Sequence, residues 1–197
     1  VSDATGAEAA WGDAAAYAGA VRPSRVAIGD FAGEGLPAVV LTAADSSIVT
    51  VFPIEGNGIP SGGRNSAILV NDEAIAGVSA LQAIRFDGDD AFRADRLIAA
   101  DARGNQVVVI RRQSGAGDPA RVTLEASEVT GLDPVALATA DFDGTGSTDL
   151  AVLCRGGNLV QIFVGVGGVL NKGPAFAVGA AQAITTADLD GDGARDL

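Results

Sequence analysis

Near the end of the chain, four aspartates crowd into Asp188-Leu-Asp-Gly-Asp-Gly-Ala-Arg-Asp196, at relative positions one, three, five and nine. Carboxylates at that density repel one another unless a cation sits among them, a cost that a polar turn does not require. A plain turn is the competing account, since Asp and Gly both suit tight turns and left-handed backbone. An alternating Asp-x-Asp-x-Asp curl, however, brings alternate side chains to one point, and calcium takes about six to eight such hard oxygens at about 2.3–2.6 Å. The predicted ligands are Asp188, Asp190, Asp192, Asp196 and the position-seven carbonyl of Ala194. A second loop, Asp141-Phe-Asp-Gly-Thr-Gly-Ser-Thr-Asp149, keeps Asp141, Asp143 and Asp149. It offers Thr145 at position five and Ser147 at position seven, a weaker set because a neutral oxygen replaces one carboxylate.

Two further loops are degenerate. In the first, Asp30, Ala32, Glu34 and Ala38 stand at the ligand positions, which leaves two carboxylates and no basis for expecting metal. In the second, Arg85 occupies position one while Asp87, Asp89 and, after a two-residue insertion, Asp95 remain. A guanidinium turned into that loop would neutralise carboxylates without a metal. A solvated Arg85 on a decayed loop is the alternative.

Catalytic chemistry is hard to seat. The chain has no histidine, so acid–base work would fall on carboxylates that already have a ligand role. Gly165-Val-Gly-Gly-Val-Leu170 lacks the Gly-Lys-Ser/Thr ending of a phosphate loop and reads as a turn. Cys154, the single cysteine, reads as a small buried hydrophobe on a strand. No enzyme is expected.

The net charge of −12, from 25 acidic against 13 basic residues, repels phosphate backbones, and Lys172 is the only lysine, so neither nucleic acid nor an anionic membrane is an expected partner. No apolar run reaches the roughly 18 residues that span a bilayer. A hydrophobic fraction of 48% supports an ordinary core.

The elements that must carry these loops recur. Val26–Gly35, Ala136–Gly146 and Ala183–Gly193 align, with a degenerate copy at Ala83–Asp90, and the equivalent points Asp30, Arg85, Asp141 and Asp188 are spaced by 55, 56 and 47 residues. A period of that size signals repeated supersecondary units. Within each repeat the order is apolar strand, Asp/Gly loop, strand, tight turn, strand, Gly-rich loop and weaker strand. The predicted strands are Val26–Ile28, Ala38–Ala43, Ile48–Phe52 and Ala67–Val70; Leu81–Phe86, Leu97–Ala100, Gln106–Ile110 and Arg121–Leu124; then Val135–Ala140, Leu150–Cys154, Leu159–Val164 and Pro174–Val178, with a turn at Arg155–Asn158. Glu8–Ala20 is alanine-rich, but Tyr17-Ala-Gly-Ala20 precedes Asp30 much as Phe176-Ala-Val-Gly179 precedes Asp188, so it reads as a closing strand rather than a helix.

The Asp-x-Asp-Gly-Asp-Gly-x-x-Asp-Leu signature after Ala183-Ile-Thr-Thr-Ala187, with Gly165-Val-Gly-Gly168 and Phe176, resembles the FG-GAP and VCBS repeats. The resemblance covers roughly Arg25 to Leu197. It implies an all-β fold of four-stranded antiparallel propeller blades, part of a larger ring, as in integrin-α heads, fungal lectins and many secreted bacterial proteins. Its blades would be 25–79, 80–134 and 135–181, with 1–24 ending a preceding blade and 182–197 starting a further one. It further implies Ca2+ as cofactor, an extracellular or cell-surface location, and an adhesion, protein-interaction or structural role. A lectin-type propeller or a propeller attached to a secreted enzyme is the alternative. The partner would be a protein or further blades of the same polypeptide. A glycan is disfavoured because Trp11 and Tyr17 alone combine a stacking face with a polar handle. The strand edges left at Gln182–Ala187 and near Tyr17 predict that an isolated copy is not a stable monomer.

Overall fold

Apolar residues alternating between Gly-, Asp- and Pro-rich turns dictate strands, and strands dominate the computed structural model, which describes residues 23–31, 35, 37–43, 49–54, 66–68, 77–86, 95–112 and 122–197. The first sheet comprises β1(Pro23–Gly29), β2(Ala38–Ala43), β3(Val49–Pro53) and β4(Ser66–Ile68). The second comprises β5(Val78–Ile84), β6(Arg96–Asp101), β7(Gln106–Arg112) and β8(Val122–Val129). The third comprises β9(Pro134–Ala140), β10(Asp149–Cys154), β11(Leu159–Val166) and β12(Val169–Ala177). Each is an antiparallel meander whose strands lie in chain order.

Turn chemistry explains the tight connections. Asp101 accepts the N–H groups of Arg103 and Gly104 at 3.0 and 3.1 Å and so closes the β6–β7 turn. A 3-10 turn at Arg155–Gly157, with Asn158 in the left-handed region at φ 49°, joins β10 to β11. The fourth strand of this sheet starts earlier than predicted, because Gly167 and Gly168 form a tight hairpin turn (φ 58° and 80°) rather than a long loop. Gln161 then holds the register shift in β11, its amide donating to Gly173 O and Pro174 O at 2.8 and 3.1 Å.

The sheets stack face to face. β6 and β10 are buried along their whole length, as their nearly unbroken apolar sequences require. Leu97, Ala99, Val108 and Ile110 pack with Val40, Val49 and Val51 of the first sheet. Ile98, Val107 and Val109, on the opposite face, pack with Leu150, Val152 and Phe163 of the third. Burying Leu150 and Phe163 completely contributes about 1.5–3 kcal/mol for each side chain. The first strands lie near one another, with Arg25 Nε donating to Ser79 O and the Ser79 hydroxyl to Pro134 O.

The expected propeller is not formed. Among the described residues the three sheets are separate, and their core clusters join first to second and second to third, without a cluster joining third to first. The outer face of the third sheet is instead covered by the chain that follows it, through Val178, Ala181 and Ile184. A ring requires each sheet to be tilted against the next until the last meets the first, and these small sheets do not curl into one. The adhesion and lectin readings that depended on a closed ring fall with it. Gln182–Ala187 also fails to form the predicted strand: only Ala187 pairs, in a single bridge to Asp196, and the segment joins none of the three sheets that the described residues form. Glu8–Ala20, with Trp11 and Tyr17, lies outside the described residues, as do Ala32, Glu34, Asp87 and Asp89.

Candidate metal centre

Both acidic loops are built on the same base. In the third sheet, Ala140 of β9 pairs with Asp149 of β10, and the loop between them holds Asp141 to Thr148. In the last loop, Ala187 and Asp196 exchange backbone hydrogen bonds of 3.2 and 2.7 Å. Each base places positions one and nine side by side.

From that base the backbone wraps around the carboxylates. Asp141 accepts Thr145 N at 3.1 Å and Gly146 N at 2.9 Å, one on each oxygen. Asp188 does the same for Gly191 N at 2.7 Å and Gly193 N at 3.1 Å. Position three accepts the N–H of position five in both loops, Thr145 N to Asp143 at 3.0 Å and Asp192 N to Asp190 at 3.1 Å. Position nine accepts the N–H of position two, Phe142 N to Asp149 and Leu189 N to Asp196, both at 2.8 Å. Gly146 and Gly193 stand at φ 85° and 89°, a backbone that a side chain at either position would strain.

This wrapping gathers carboxylate oxygens. Asp141, Asp143 and Asp149 each present one oxygen, all within 4.8 Å of one another, and Asp188, Asp190 and Asp196 form a second such group. Two oxygens on opposite sides of one calcium ion lie about 5 Å apart, so these groups fit a shared divalent cation in both spacing and hardness. Asp192 stands outside the second group, and its Oδ1 accepts Ala194 N at 2.7 Å. Thr145 and Ser147 lie in the first loop, where Thr145 acts through its hydroxyl and N–H on Asp143. The hydroxyl first, and then the backbone N–H, hold the Asp143 carboxyl below its ordinary value against an opposing effect of burial.

The loops differ in exposure. Asp149 is fully buried, with Oδ2 on Phe142 N and Oδ1 on Gly165 N, both at 2.8 Å. Asp196 is half-buried. Both loops border one open cleft of about 330 Å³, its apolar wall formed by Ile162, Val164 and Phe176.

In the degenerate loops the pattern survives in part. Asp30 accepts Gly35 N at 2.7 Å, the same bond that Gly146 and Gly193 make to position one. Arg85 turns toward its loop: its Nε donates to Asp95 Oδ1 at 2.8 Å. That contact supports the reading of Arg85 as an internal cation, with position nine as its partner. Sequence reasoning missed the cross-sheet role of Asp95, whose other oxygen accepts Asp30 N. Among the described residues no helix is long and apolar enough to cross a membrane.

No family profile and no curated protein matches the chain, so the FG-GAP/VCBS resemblance has no support beyond the loops themselves. A solved structure of a functionally unknown protein from Desulfotomaculum acetoxidans DSM 771 is similar in fold, with a TM-score of 0.54 and 19% identity over 80% of this chain. The chain spans 43% of that protein's length. At that identity the likeness concerns the fold alone.

Proposed function

We propose that this chain is a non-catalytic calcium-binding all-β module, its two Asp loops each holding one ion that fixes the loop and the strands at its base. The observation that carries the reading is the convergence of two separate carboxylate triplets, each within 4.8 Å, on one repeated backbone scaffold. Calcium rather than magnesium is proposed because carboxylates joined by neutral oxygens, the Thr145 and Ser147 hydroxyls in one loop and the Ala194 carbonyl in the other, suit a flexible, oxygen-rich site. Magnesium demands a tighter octahedron and keeps its waters. An extracellular setting follows as part of the proposal, since partly neutral oxygen sets of this kind fill at millimolar calcium. A protein partner fits the cleft between the loops, where Phe176 is 53% exposed beside carboxylates.

Calorimetry of the intact chain tests the reading. Two classes of calcium site are expected, Asp190→Ala removing one and Asp143→Ala the other, with magnesium giving little heat. Absence of calcium heat, or binding unchanged in both variants, would overturn the proposal.

A further inference from the structure

We infer that Arg85, Asp95 and Asp30 form a metal-independent latch that joins the first sheet to the second, in which a guanidinium stands where the other loops gather carboxylates. Three hydrogen bonds meet at Asp95. Its Oδ1 accepts Arg85 Nε at 2.8 Å, its Oδ2 accepts Asp30 N at 2.7 Å, and its own N–H donates to Asp30 O at 2.7 Å. Asp149 and Asp196 accept an N–H from their own loops, whereas Asp95 reaches across to the neighbouring sheet.

Close approach makes this possible. A Cβ on Gly29 would lie 2.9 Å from Asp95 Oδ2 and 2.9 Å from Ala83 Cβ, so only glycine lets β1 come near enough for Asp30 to meet Asp95. The side chain of Asp95 is 16% exposed and that of Arg85 is 60% exposed. The carboxylate is therefore the structural hub, and Arg85 supplies partly screened charge to it. The latch holds a position-one cation by covalent attachment, and it stays closed whatever the calcium concentration. Among the described residues, the carboxylate triplets lie in the third sheet and the chain that follows.

The contrast with the calcium loops rests on the function proposed above, but the latch itself does not. Amide hydrogen exchange on the intact chain, read by NMR in chelator and in millimolar calcium, tests both. The Asp30 and Asp95 amides should exchange at rates that differ less than about twofold between the two conditions, while those of Thr145, Gly146, Gly191 and Gly193 slow on adding calcium. Asp95→Ala should speed exchange at Asp30 about tenfold or more, through loss of a charged acceptor. Arg85→Gln should have a smaller effect that vanishes in the Asp95→Ala background. Calcium-dependent protection of Asp30 and Asp95, or additive effects of the two substitutions, would overturn the latch. If calcium slows none of the loop amides, the calcium reading fails, and the variants alone then decide the latch.

Discussion

Removing the Asp149 carboxylate separates the two tasks assigned to it. Its oxygens accept Phe142 N and Gly165 N at 2.8 Å in a fully buried setting. Hydrogen bonds to a charged group contribute about 1.5–3 kcal/mol each, so Asp149→Ala should cost about 3–6 kcal/mol even without metal. For a domain of this size each kcal/mol moves the melting temperature by about 2–4 °C, which places the chelated variant roughly 6–24 °C below the wild type. Calcium at a hundred times its Kd should raise wild-type stability by about 2.7 kcal/mol per site. Asp149→Asn keeps the shape of the side chain but turns an N–H-bearing group toward one of the two donors and removes the charge, so it should lose the calcium-dependent rise at this loop. Calorimetric melts of wild type and both variants, in chelator and in saturating calcium, read each contribution. If Asp149→Ala in chelator melts within about 2 °C of wild type, the carboxylate does not anchor the loop. If Asp149→Asn keeps the whole calcium increment, it is not a ligand.

Two further outcomes follow from the ionisation of single groups. Because the folded-state Asp143 carboxyl lies below its ordinary value of 3.8, the stability it adds is present above that value and lost as pH falls through the lowered one. In chelator, wild type should therefore exceed Asp143→Asn in stability near neutrality and the two should converge under strong acid, and a gap that widens on acidification would contradict this. Burial pushes the Cys154 thiol up, and the residue is fully enclosed, so iodoacetamide should modify it only as fast as the chain opens. Stoichiometric labelling of the native protein within minutes would refute that enclosure.

What was legible in the sequence is what neighbouring residues determine. Asp149–Cys154 is a nearly unbroken apolar run, and a strand buried on both faces is its consequence. The gathering of Asp141, Asp143 and Asp149, and of Asp188, Asp190 and Asp196, was legible because their spacing is itself local, whereas Asp192 falls outside its group. Ring closure was not, since a repeat specifies its own sheet and the face it offers the next, while closure depends on small tilts accumulated over many sheets. The early start of β12 was misjudged for a related reason: Gly165-Val-Gly-Gly168 reads equally as a loop or a two-glycine hairpin, and the decision falls to Gln161 bonding across to Gly173 and Pro174. The bond between Asp95 and Asp30 lay beyond reach because its partners are 65 residues apart.

Position nine serves as an anchor in three of the loops. Asp95, Asp149 and Asp196 each accept a backbone N–H at 2.7 to 2.8 Å. Two of them also belong to carboxylate triplets, and the third pairs with an arginine. The common element is therefore the anionic acceptor that ties the end of the loop to backbone, and a positive charge nearby is what each arrangement then needs. A divalent cation shared by the carboxylate triplets would supply it in one case, and the Arg85 guanidinium supplies it in the other. For this reason aspartates in such a spacing indicate where a cation can sit more securely than they indicate that every copy holds one.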